Sequence, residues 1–403
     1  MSEKRAIVVG AGLSGATVAR TLAEGGVKVT VWEKEKYVGG AISDYRKDDY
    51  FVQRHGPHLF HTSSEAAYAF LSRFTEWFDY RHTVRAHITS KYIDRYTLST
   101  DIKDKYIPVP FNFTSLEALY PADKAKKIES ALVGKYGADA AVSISELRLN
   151  PDPEIKEFAE FVYVTVFKYY SFKQWGLDMA AIDPAVFKRV PVRTGYIDGY
   201  FADKYQAMPK DGFSAIIENM LKNENITVKT GVDAISRLAV KDGKLEIDGK
   251  PADCPVIFTG CIDELCGDRF GRLPYRTLRF DLKEENTPSF QPYGVVNYTV
   301  TEPFTRISEF KKFTVENSKA KTSVTVREYP RSYDRESELS PYYPMPTADA
   351  KESYAKYAEY VKDIKNLYFA GRLGSYVYVN MDKAVDRALD LGKHLLETAF
   401  AAK

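Results

Sequence analysis

The feature that most constrains this chain is a glycine-rich turn near its start. The turn follows the apolar run Ala6–Val9, which predicts a buried strand, and precedes Thr17–Ala23, which predicts a helix. It fits the pattern G-x-G-x-x-G with Gly10, Ala11, Gly12, Leu13, Ser14 and Gly15. The first glycine allows a tight turn, the second lets the backbone approach a pyrophosphate, and the third permits close packing of helix on strand. Phosphates would bind the free N–H groups at the start of the helix.

A second strand and two later glycine segments extend this prediction. Val27–Trp32 alternates apolar and polar residues, and Glu33 follows it, 18 residues after Gly15, where a carboxylate would accept hydrogen bonds from ribose. The order strand, glycine turn, helix, strand and acid predicts a dinucleotide site. Gly39-Gly40 and Gly371-Arg372 resemble the glycine segments of flavoproteins of the glutathione-reductase and amine-oxidase type, which favours FAD over NAD.

Composition limits the other functions open to the chain. Its 403 residues predict two or three compact units, and the net charge of +2 gives no reason to expect nucleic acid as a partner. The three cysteines form no C-x-x-C pair, and we find neither a signal peptide nor an apolar run long enough for a membrane span, so we expect a cytoplasmic protein. His58 and His61 have a spacing seen in metal sites, but no further ligand cluster accompanies them, so we expect no metal.

The predicted elements give an α/β fold: a Rossmann-like FAD-binding domain, a helical insertion domain and an antiparallel β-sheet domain. The FAD-binding domain is expected to be discontinuous, with its last strand and helix supplied by the C-terminal part of the chain. The predicted segments are 1–80 (FAD), 81–112 (sheet), 113–190 (helical, substrate and mobile loop), 191–209 (sheet), 210–268 (FAD), 269–361 (sheet) and 362–403 (FAD).

Aromatic and basic segments in the middle of the chain indicate a second nucleotide. Tyr170 and Trp175 offer ring faces to a pyrimidine base, Phe167 could wall the same slot, and Arg193 and Arg306 could bind a diphosphate. Each of these residues also fits an ordinary structural role, as packing at a helix end or as a surface ion pair. The segments read Gly56-Pro57-His58-Leu59-Phe60-His61-Thr62, Tyr170-Ser171-Phe172-Lys173-Gln174-Trp175-Gly176, Arg189-Val190-Pro191-Val192-Arg193, Phe304-Thr305-Arg306-Ile307 and Gly371-Arg372-Leu373-Gly374.

Taken in order over nearly the whole chain, these segments resemble the UDP-galactopyranose mutase family. The resemblance implies an isomerase that converts the pyranose ring of a nucleotide sugar to a furanose without net redox change, with UDP-galactose as the first expectation. In that family reduced FAD acts as a covalent catalyst through its N5 atom. The implied partners are a nucleotide diphosphate sugar and a reductant, NAD(P)H or a reduced flavin system; a homodimer is left open.

The resemblance also assigns roles to individual residues. The catalytic set, in which His61 tunes the flavin, is His61, Arg193, Arg306 and Tyr378. The substrate-binding set is Phe167, Tyr170, Trp175, Arg193, Tyr205, Asn297, Arg306, Tyr329, Tyr378 and Asn380. Beyond the first glycine turn and Glu33, the cofactor-binding set is Lys34, Gly40, Ala41, His58, His61, Asn112, Gly371, Arg372, Tyr378, Asn380 and Met381.

The chain departs from the family pattern at several positions. Asn380 replaces an aspartate, Ala41 stands where asparagine is common, Val166 stands where an aromatic is common, and Thr97–Lys105 reads as a longer loop. These changes keep UDP-N-acetylgalactosamine and a dTDP-6-deoxy sugar open as substrates. An FAD-dependent oxidoreductase of the amine-oxidase type and a non-catalytic nucleotide-sugar sensor are the rival functions.

Overall fold

The computed structural model describes residues 3–89, 98, 104–182, 190–314, 318–337 and 339–401. The expected loop at Thr97–Lys105 falls largely outside them, as does Arg189. The chain forms two compact units. It passes from the first unit to the second and back again twice. The first unit contains Met1–Tyr80, Asp203–Thr277 and Tyr333–Lys403, and the second contains Arg81–Ala202 and Leu278–Ser332.

The strands of the described residues are numbered in chain order. They are β1 Arg5–Val9, β2 Lys28–Glu33, β3 Asp44–Lys47, β4 Tyr50–Gln53, β5 Phe60–Thr62, β6 Trp77–Asp79, β7 Val84–Ile88, β8 Lys105–Val109, β9 Ala141–Val142, β10 Val192–Arg193, β11 Tyr205–Pro209, β12 Ile226–Thr230, β13 Leu238–Lys241, β14 Lys244–Ile247, β15 Lys250–Pro251, β16 Val256–Phe258, β17 Tyr275–Glu285, β18 Val295–Tyr298, β19 Arg306–Glu309, β20 Ser323–Ser332, β21 Tyr343–Pro344 and β22 Leu367–Phe369.

The α-helices are numbered in the same way, and a π-helical segment, Tyr163–Lys168, joins the sixth helix to the seventh. The helices are α1 Leu13–Glu24, α2 Glu65–Leu71, α3 Phe113–Leu119, α4 Ala122–Tyr136, α5 Ile144–Arg148, α6 Pro153–Val162, α7 Tyr169–Trp175, α8 Gly212–Leu221, α9 Ile262–Leu265, α10 Lys311–Thr314, α11 Ala348–Val361, α12 Gly371–Gly374 and α13 Met381–Glu397. No helix of the described residues is both long and apolar enough to cross a bilayer.

A five-stranded parallel sheet forms the centre of the first unit. Its order is β12-β2-β1-β16-β22, so the opening strand lies between its βαβ partner and a strand from the second half of the chain. Val8 and Val31 are both fully buried, as expected where helices cover a parallel sheet. The carboxyl ends of parallel strands meet at one edge, so the turns after β1, β2, β16 and β22 lie together. This arrangement confirms the predicted Rossmann-like layer and its C-terminal strand.

The C-terminal helix α13 packs on α1 and completes this layer, as predicted. A Cβ added at Gly392 would lie 2.7 Å from Cγ2 of Thr21, so the two helices approach too closely for a larger residue at that point. The buried face of α13 includes Val385, Ala388 and Leu395, whose successive separations of three and seven residues place them on one side of a helix.

In the sequence, Ser63 or Ser64 could cap a helix that presents one apolar face, formed by Ala67, Phe70, Leu71, Phe74, Trp77 and Phe78. The helix in the structure is shorter than this pattern predicts. Ser64 caps α2 by accepting the Ala67 N–H at 3.2 Å, as expected, but the helix ends at Leu71. The later aromatic residues Trp77 and Phe78, which fall on the same helical face, instead form β6 and pair with β11. Trp77 stacks on Phe60 with ring centroids 4.8 Å apart, so strand pairing overrides the helical periodicity there.

The sheet of the second unit is rich in antiparallel pairs, which confirms that part of the predicted fold. Its strands follow the order β17-β20-β19-β18-β7-β8. Within this sheet, β18 and β7 run parallel, and the other assigned pairs of the described residues run antiparallel. β21 pairs with Tyr275 and Arg276, the first residues of β17, which belong to the first unit. Helices α3 to α7 belong to the second unit, and α7 packs on β20.

Candidate active site

The first glycine turn is packed too tightly for other residues. Gly10 has a φ of +96°, and a Cβ there would lie 2.1 Å from Oγ1 of Thr259, at the end of β16. A Cβ at Gly15 would lie 2.0 Å from the carbonyl oxygen of Gly10. The turn therefore presents bare backbone at the carboxyl edge of the sheet, which a pyrophosphate requires.

The two later glycine segments lie against this turn. The Gly39 N–H donates to the carbonyl of Ala11 at 2.9 Å, and a Cβ at Gly40 would lie 3.0 Å from the Cα of Gly12. A Cβ at Gly371 would lie 3.5 Å from the Oγ of Ser14. Segments far apart in sequence thus form one glycine-lined edge, and Ala41 is exposed directly beside it.

Glu33 is buried at the end of β2 and is 7% exposed. Its Oε2 accepts the Ala11 N–H at 2.7 Å, and its Oε1 accepts the Glu35 N–H at 2.9 Å. Each carboxylate oxygen has a second lone pair, so these bonds leave room for a ligand hydroxyl. Lys34, the next residue, is exposed.

These residues fit a dinucleotide cofactor. Within the described chain no side chain caps the 12-residue helix α1, whose N-cap is Gly12, so its first N–H groups have no side-chain acceptor. An uncapped helix start, a glycine-lined edge and a carboxylate at the end of the second strand together match the requirements for a pyrophosphate and a ribose.

The histidine segment is held by hydrogen bonds within the first unit. His61, in β5, places Nδ1 2.8 Å from Oδ2 of Asp203. His58 donates its backbone N–H to the side chain of Gln53, whose Nε2 donates back to the His58 carbonyl at 2.9 Å. His55 lies with Nδ1 2.6 Å from the hydroxyl of Tyr342, and burial lowers its pKa, with the Arg54 guanidinium acting in the same direction.

Arg372 organises the segment before the C-terminal helix. Its Nη1 donates to the carbonyl of Tyr342 at 3.2 Å, and its Nη2 donates to the carbonyl of Val379 at 2.9 Å. Its guanidinium carbon lies 5.1 Å from the ring centroid of Tyr343 and 5.2 Å from that of Tyr378. Arg372 thereby holds Tyr378, which is 38% exposed, next to the start of α13.

The N-terminus of α13 carries the substituted residue of the late motif. Asn380 is the N-cap residue of α13, and Met381 is its first residue. In the described chain, the Asn380 side chain accepts no capping hydrogen bond from the first backbone N–H groups of the helix. Asp382 is buried, with Oδ2 accepting the Thr62 hydroxyl at 3.2 Å. Because Asn380 is neutral, it adds no negative charge at the positive end of this helix.

Tyr205, at the start of β11, contacts two residues of α2. Its ring stacks on Tyr68 with centroids 3.8 Å apart, and its hydroxyl donates to Oε2 of Glu65 at 2.7 Å. These contacts give it a structural role on the first unit, and its predicted contact with substrate stays a prediction.

The aromatic segment of the second unit, residues 167–175, begins in the π-helical segment and continues through α7. Phe167 lies in the π-helical segment and Trp175 ends α7, and each is 7% exposed. Tyr170 is half-buried in α7. The structure therefore brings the three predicted stacking residues onto one short continuous helical stretch, and π-helical turns occur often at functional sites.

A polar row crosses the sheet of the second unit. Asn297 of β18 pairs in register with Arg306 of β19, which pairs with Glu328 of β20. Arg306 donates from Nε to Oε1 of Glu328 at 2.6 Å, and the Glu328 side chain is 2% exposed. Asn297 is 8% exposed, and its Oδ1 is buried without a hydrogen-bond partner among the described residues.

Tyr329 follows Glu328 and projects from the opposite face of the sheet, since side chains alternate along a strand. Its ring lies 4.0 Å from the guanidinium carbon of Arg279 and 5.8 Å from the ring of Phe304. Tyr329 therefore contacts Arg279 and Phe304 rather than the row of Asn297 and Arg306, and its predicted contact with substrate stays a prediction.

Arg193 and Asn112 lie close together in the second unit, because the backbone of Arg193 bonds to Phe111, the residue before Asn112. Arg193 donates its backbone N–H to the Phe111 carbonyl at 2.8 Å, while its side-chain Nε is buried with no partner among the residues that the structure describes. Asn112 caps α3: its Oδ1 accepts the Ser115 N–H at 3.1 Å, and its Nδ2 donates to Oδ1 of Asp198 at 2.7 Å.

Two site residues escaped the sequence analysis. Asp203 holds His61 from 142 residues away, and Glu328 holds Arg306 from 22 residues away. Neither lies in a motif, and only the pairing of β5 with β11 and of β19 with β20 brings them to their partners. No group of three or more metal-binding side chains occurs in the described part of the chain.

The chain is similar to known proteins over almost its whole length. The model of the family "UDP-galactopyranose mutase" matches residues 165–378, and that of the NAD(P)-binding Rossmann-like domain matches 8–74. The dTDP-fucopyranose mutase of Escherichia coli is 30% identical, covering 96% of this chain and 97% of its own. The UDP-galactopyranose mutase of Mycoplasma genitalium is 31% identical, covering 97% of this chain and 94% of its own.

A solved structure supports the same fold. The crystal structure of reduced UDP-galactopyranose mutase matches with a TM-score of 0.69 at 14% identity, covering 100% of this chain and 95% of that one. That likeness shows the fold, while the family model covers more than half of the chain and the relatives align nearly end to end. The chain belongs to the UDP-galactopyranose mutase family of isomerases.

Proposed function

We propose that this chain is a flavin-dependent mutase that interconverts the pyranose and furanose forms of a nucleotide sugar. The first unit would bind FAD, and the second would bind the nucleotide diphosphate. The observation that carries the proposal is that Asn297 and Arg193, two predicted substrate-binding residues, are among the residues of the second unit with a buried side-chain atom, Oδ1 and Nε, that has no hydrogen-bond partner in the described chain. Buried polar atoms are normally satisfied.

FAD is the dinucleotide that we propose for the first unit. The N–H groups at the start of α1 would bind its pyrophosphate, and Glu33 would accept a ribose hydroxyl. His58, His61, Tyr378, Asn380 and Met381 are the proposed residues near the flavin. When bound and reduced, FAD supplies a nucleophilic ring nitrogen for the anomeric carbon of the sugar.

The side chains of the second unit would act on the nucleotide. Arg193 and Arg306 would bind the diphosphate and stabilise its charge as the bond to the anomeric carbon breaks. The buried carboxylate of Glu328 fixes the orientation of Arg306. The Asn297 oxygen would accept an N–H from a pyrimidine base, and Phe167, Tyr170 and Trp175 would provide stacking faces.

In the first unit, the chain's own residues would orient the reaction. Asp203 holds Nδ1 of His61, so it determines which ring nitrogen faces away from the carboxylate. Arg372 holds the Val379 carbonyl and the ring of Tyr378 in one arrangement. A reductant such as NAD(P)H or a reduced flavin system would keep the cofactor reduced. A homodimer and a cytoplasmic location stay predictions.

UDP-galactose is the substrate that we propose first. A dTDP-6-deoxy sugar is the second candidate, since the dTDP-fucopyranose mutase and the UDP-galactopyranose mutase are 30% and 31% identical to this chain. Asn380 favours a variant sugar, because it removes a charge and adds an NH₂ donor relative to aspartate.

The test is turnover with defined substrates. Purified protein is analysed for bound FAD, reduced with dithionite, and incubated with UDP-galactose and with dTDP-fucose, both as pyranoses. We expect a furanose isomer by chromatography from the reduced protein only. Absence of flavin after reconstitution would contradict the proposal. So would turnover of amines with release of peroxide, which would indicate the oxidase alternative.

A further inference from the structure

Lys173 joins the aromatic helix to the sheet hairpin that carries the polar row. It lies in α7, two residues before Trp175, and its ammonium donates to the carbonyls of Tyr298 at 2.6 Å, Glu302 at 2.9 Å and Phe304 at 2.9 Å. An ammonium has three donors, so three carbonyl acceptors match its hydrogen-bonding capacity.

The three carbonyls belong to the last residue of β18 and to its connection to β19. Asn297 precedes this connection, Arg306 follows it, and the two residues face each other across the hairpin. Within the connection, the Tyr298 N–H donates to the Thr305 carbonyl at 2.8 Å. The position of the connection therefore fixes the position of both polar residues relative to α7.

A second link reaches the same hairpin. The hydroxyl of Thr299, which is 1% exposed, donates to the carbonyl of Thr165 in the π-helical segment. Thr165 in turn donates its own hydroxyl to the Phe161 carbonyl at 2.7 Å. Two side chains, one from each partner element, thus connect the aromatic segment to the hairpin through four hydrogen bonds.

We propose that Lys173 is a positioning residue that sets the spacing between the base-stacking side chains of the aromatic segment and the diphosphate-binding Arg306. This inference rests on the proposed function. A ligand that contacts both elements at once gains affinity because their spacing is fixed beforehand, whereas a ligand that contacts only one of them does not.

The chemistry explains why a lysine suits this position. Burial lowers the pKa of Lys173 to about 8, while the Glu302 carboxylate opposes that change, so the side chain is still mostly charged near neutral pH. A cation can satisfy three carbonyl oxygens of one loop, and methionine would leave all three without that donor.

The experiment compares whole and partial ligands on the FAD-loaded protein. Dissociation constants for UDP, uridine and pyrophosphate are measured by calorimetry for wild type and Lys173→Met. We expect the constant for UDP to rise about tenfold, an affinity loss of about 1.4 kcal/mol, while those for uridine and pyrophosphate change less than about twofold. Lys168→Met, at an exposed position in the same stretch, is the matched control and should leave all three constants unchanged.

Thr299→Val provides a second and milder variant. It should show the same pattern at smaller amplitude, and Lys173→Arg should recover part of the UDP affinity. Unchanged UDP affinity in Lys173→Met, or an equal loss for all three ligands, would overturn the inference. Wild-type protein that binds neither UDP nor dTDP would overturn the proposed function together with it.

Discussion

Glu33 shows how a single side chain can serve both fold and site. Its carboxylate holds the glycine turn through Ala11 and the following turn through Glu35, and we propose that it also binds a ribose. The sequence motif predicts the second role, but it does not indicate the first. The carboxylate therefore organises both turns even before any cofactor binds.

Glu33→Gln should weaken FAD binding without unfolding the chain. Glutamine replaces one acceptor oxygen of the carboxylate with an NH₂ donor, which would face a backbone N–H. Hydrogen bonds to charged groups contribute about 1.5–3 kcal/mol of stabilisation, and the variant would lose part of it. We expect FAD affinity to fall about tenfold or more in a reconstitution titration. Glu35→Gln, an exposed acid two residues later, is the control, and equal affinities for both variants would contradict this role.

Glu328 is expected to act on the nucleotide through Arg306. In Glu328→Gln the guanidinium loses its buried carboxylate partner, so its orientation is no longer fixed. We expect KM for the nucleotide sugar to rise about tenfold with FAD content unchanged. Glu284→Gln, at an exposed position on β17, should have no effect; a Glu328→Gln enzyme with wild-type KM would exclude the positioning role.

His55 gives a pH dependence with a defined sign. Burial lowers its folded-state pKa, so below about pH 6.5 the unfolded chain takes up a proton that the folded chain does not. Stability should therefore fall as the pH drops through this window. Urea unfolding at about pH 7.5 and about pH 5.5 should show a larger loss for wild type than for His55→Asn. Equal losses would show that His55 does not titrate differently on folding.

Among the elements, the sequence pattern predicts those that bury one continuous face. β1, α1, β2 and α13 follow from periodicity because their burial is local. The end of α2 does not, since pairing of Trp77 with Pro209 in β11 is a contact across 132 residues. The π-helical segment is likewise invisible in the sequence, because the Thr165 carbonyl accepts a hydrogen bond from Thr299, which is 134 residues away in the connection between β18 and β19.

The start of α3 offers a prediction at this scale. Asn112 accepts the Ser115 N–H and donates to Ile197 and Asp198, so it joins the helix start to the segment after Arg193. Asn112→Ala should lower the free energy of unfolding by about 2 kcal/mol. Asn112→Ser, which retains a capping oxygen, should recover about half of that loss in urea titrations. Wild-type stability of the alanine variant would contradict the capping role.

At the scale of the whole molecule, each unit has its own part of the proposed chemistry. Ordered motifs predict the local structure well where a turn has strict steric demands, as at Gly10 and Gly15. They do not identify hydrogen-bond partners that come from another part of the chain, such as Glu328 and Asp203. Motifs also cannot place Tyr329, whose side of the sheet depends on strand register rather than on residue type.

The most direct test of the account follows the bond that it expects to break. UDP-galactose carrying a heavy oxygen isotope between the anomeric carbon and the phosphorus is incubated with the FAD-loaded protein, and the label is located by phosphorus NMR. The account predicts that the label moves to nonbridging positions with the reduced protein, that it stays in place with the oxidised protein, and that Arg306→Ala slows its movement. A furanose product formed while the label stays in the bridge would contradict the account.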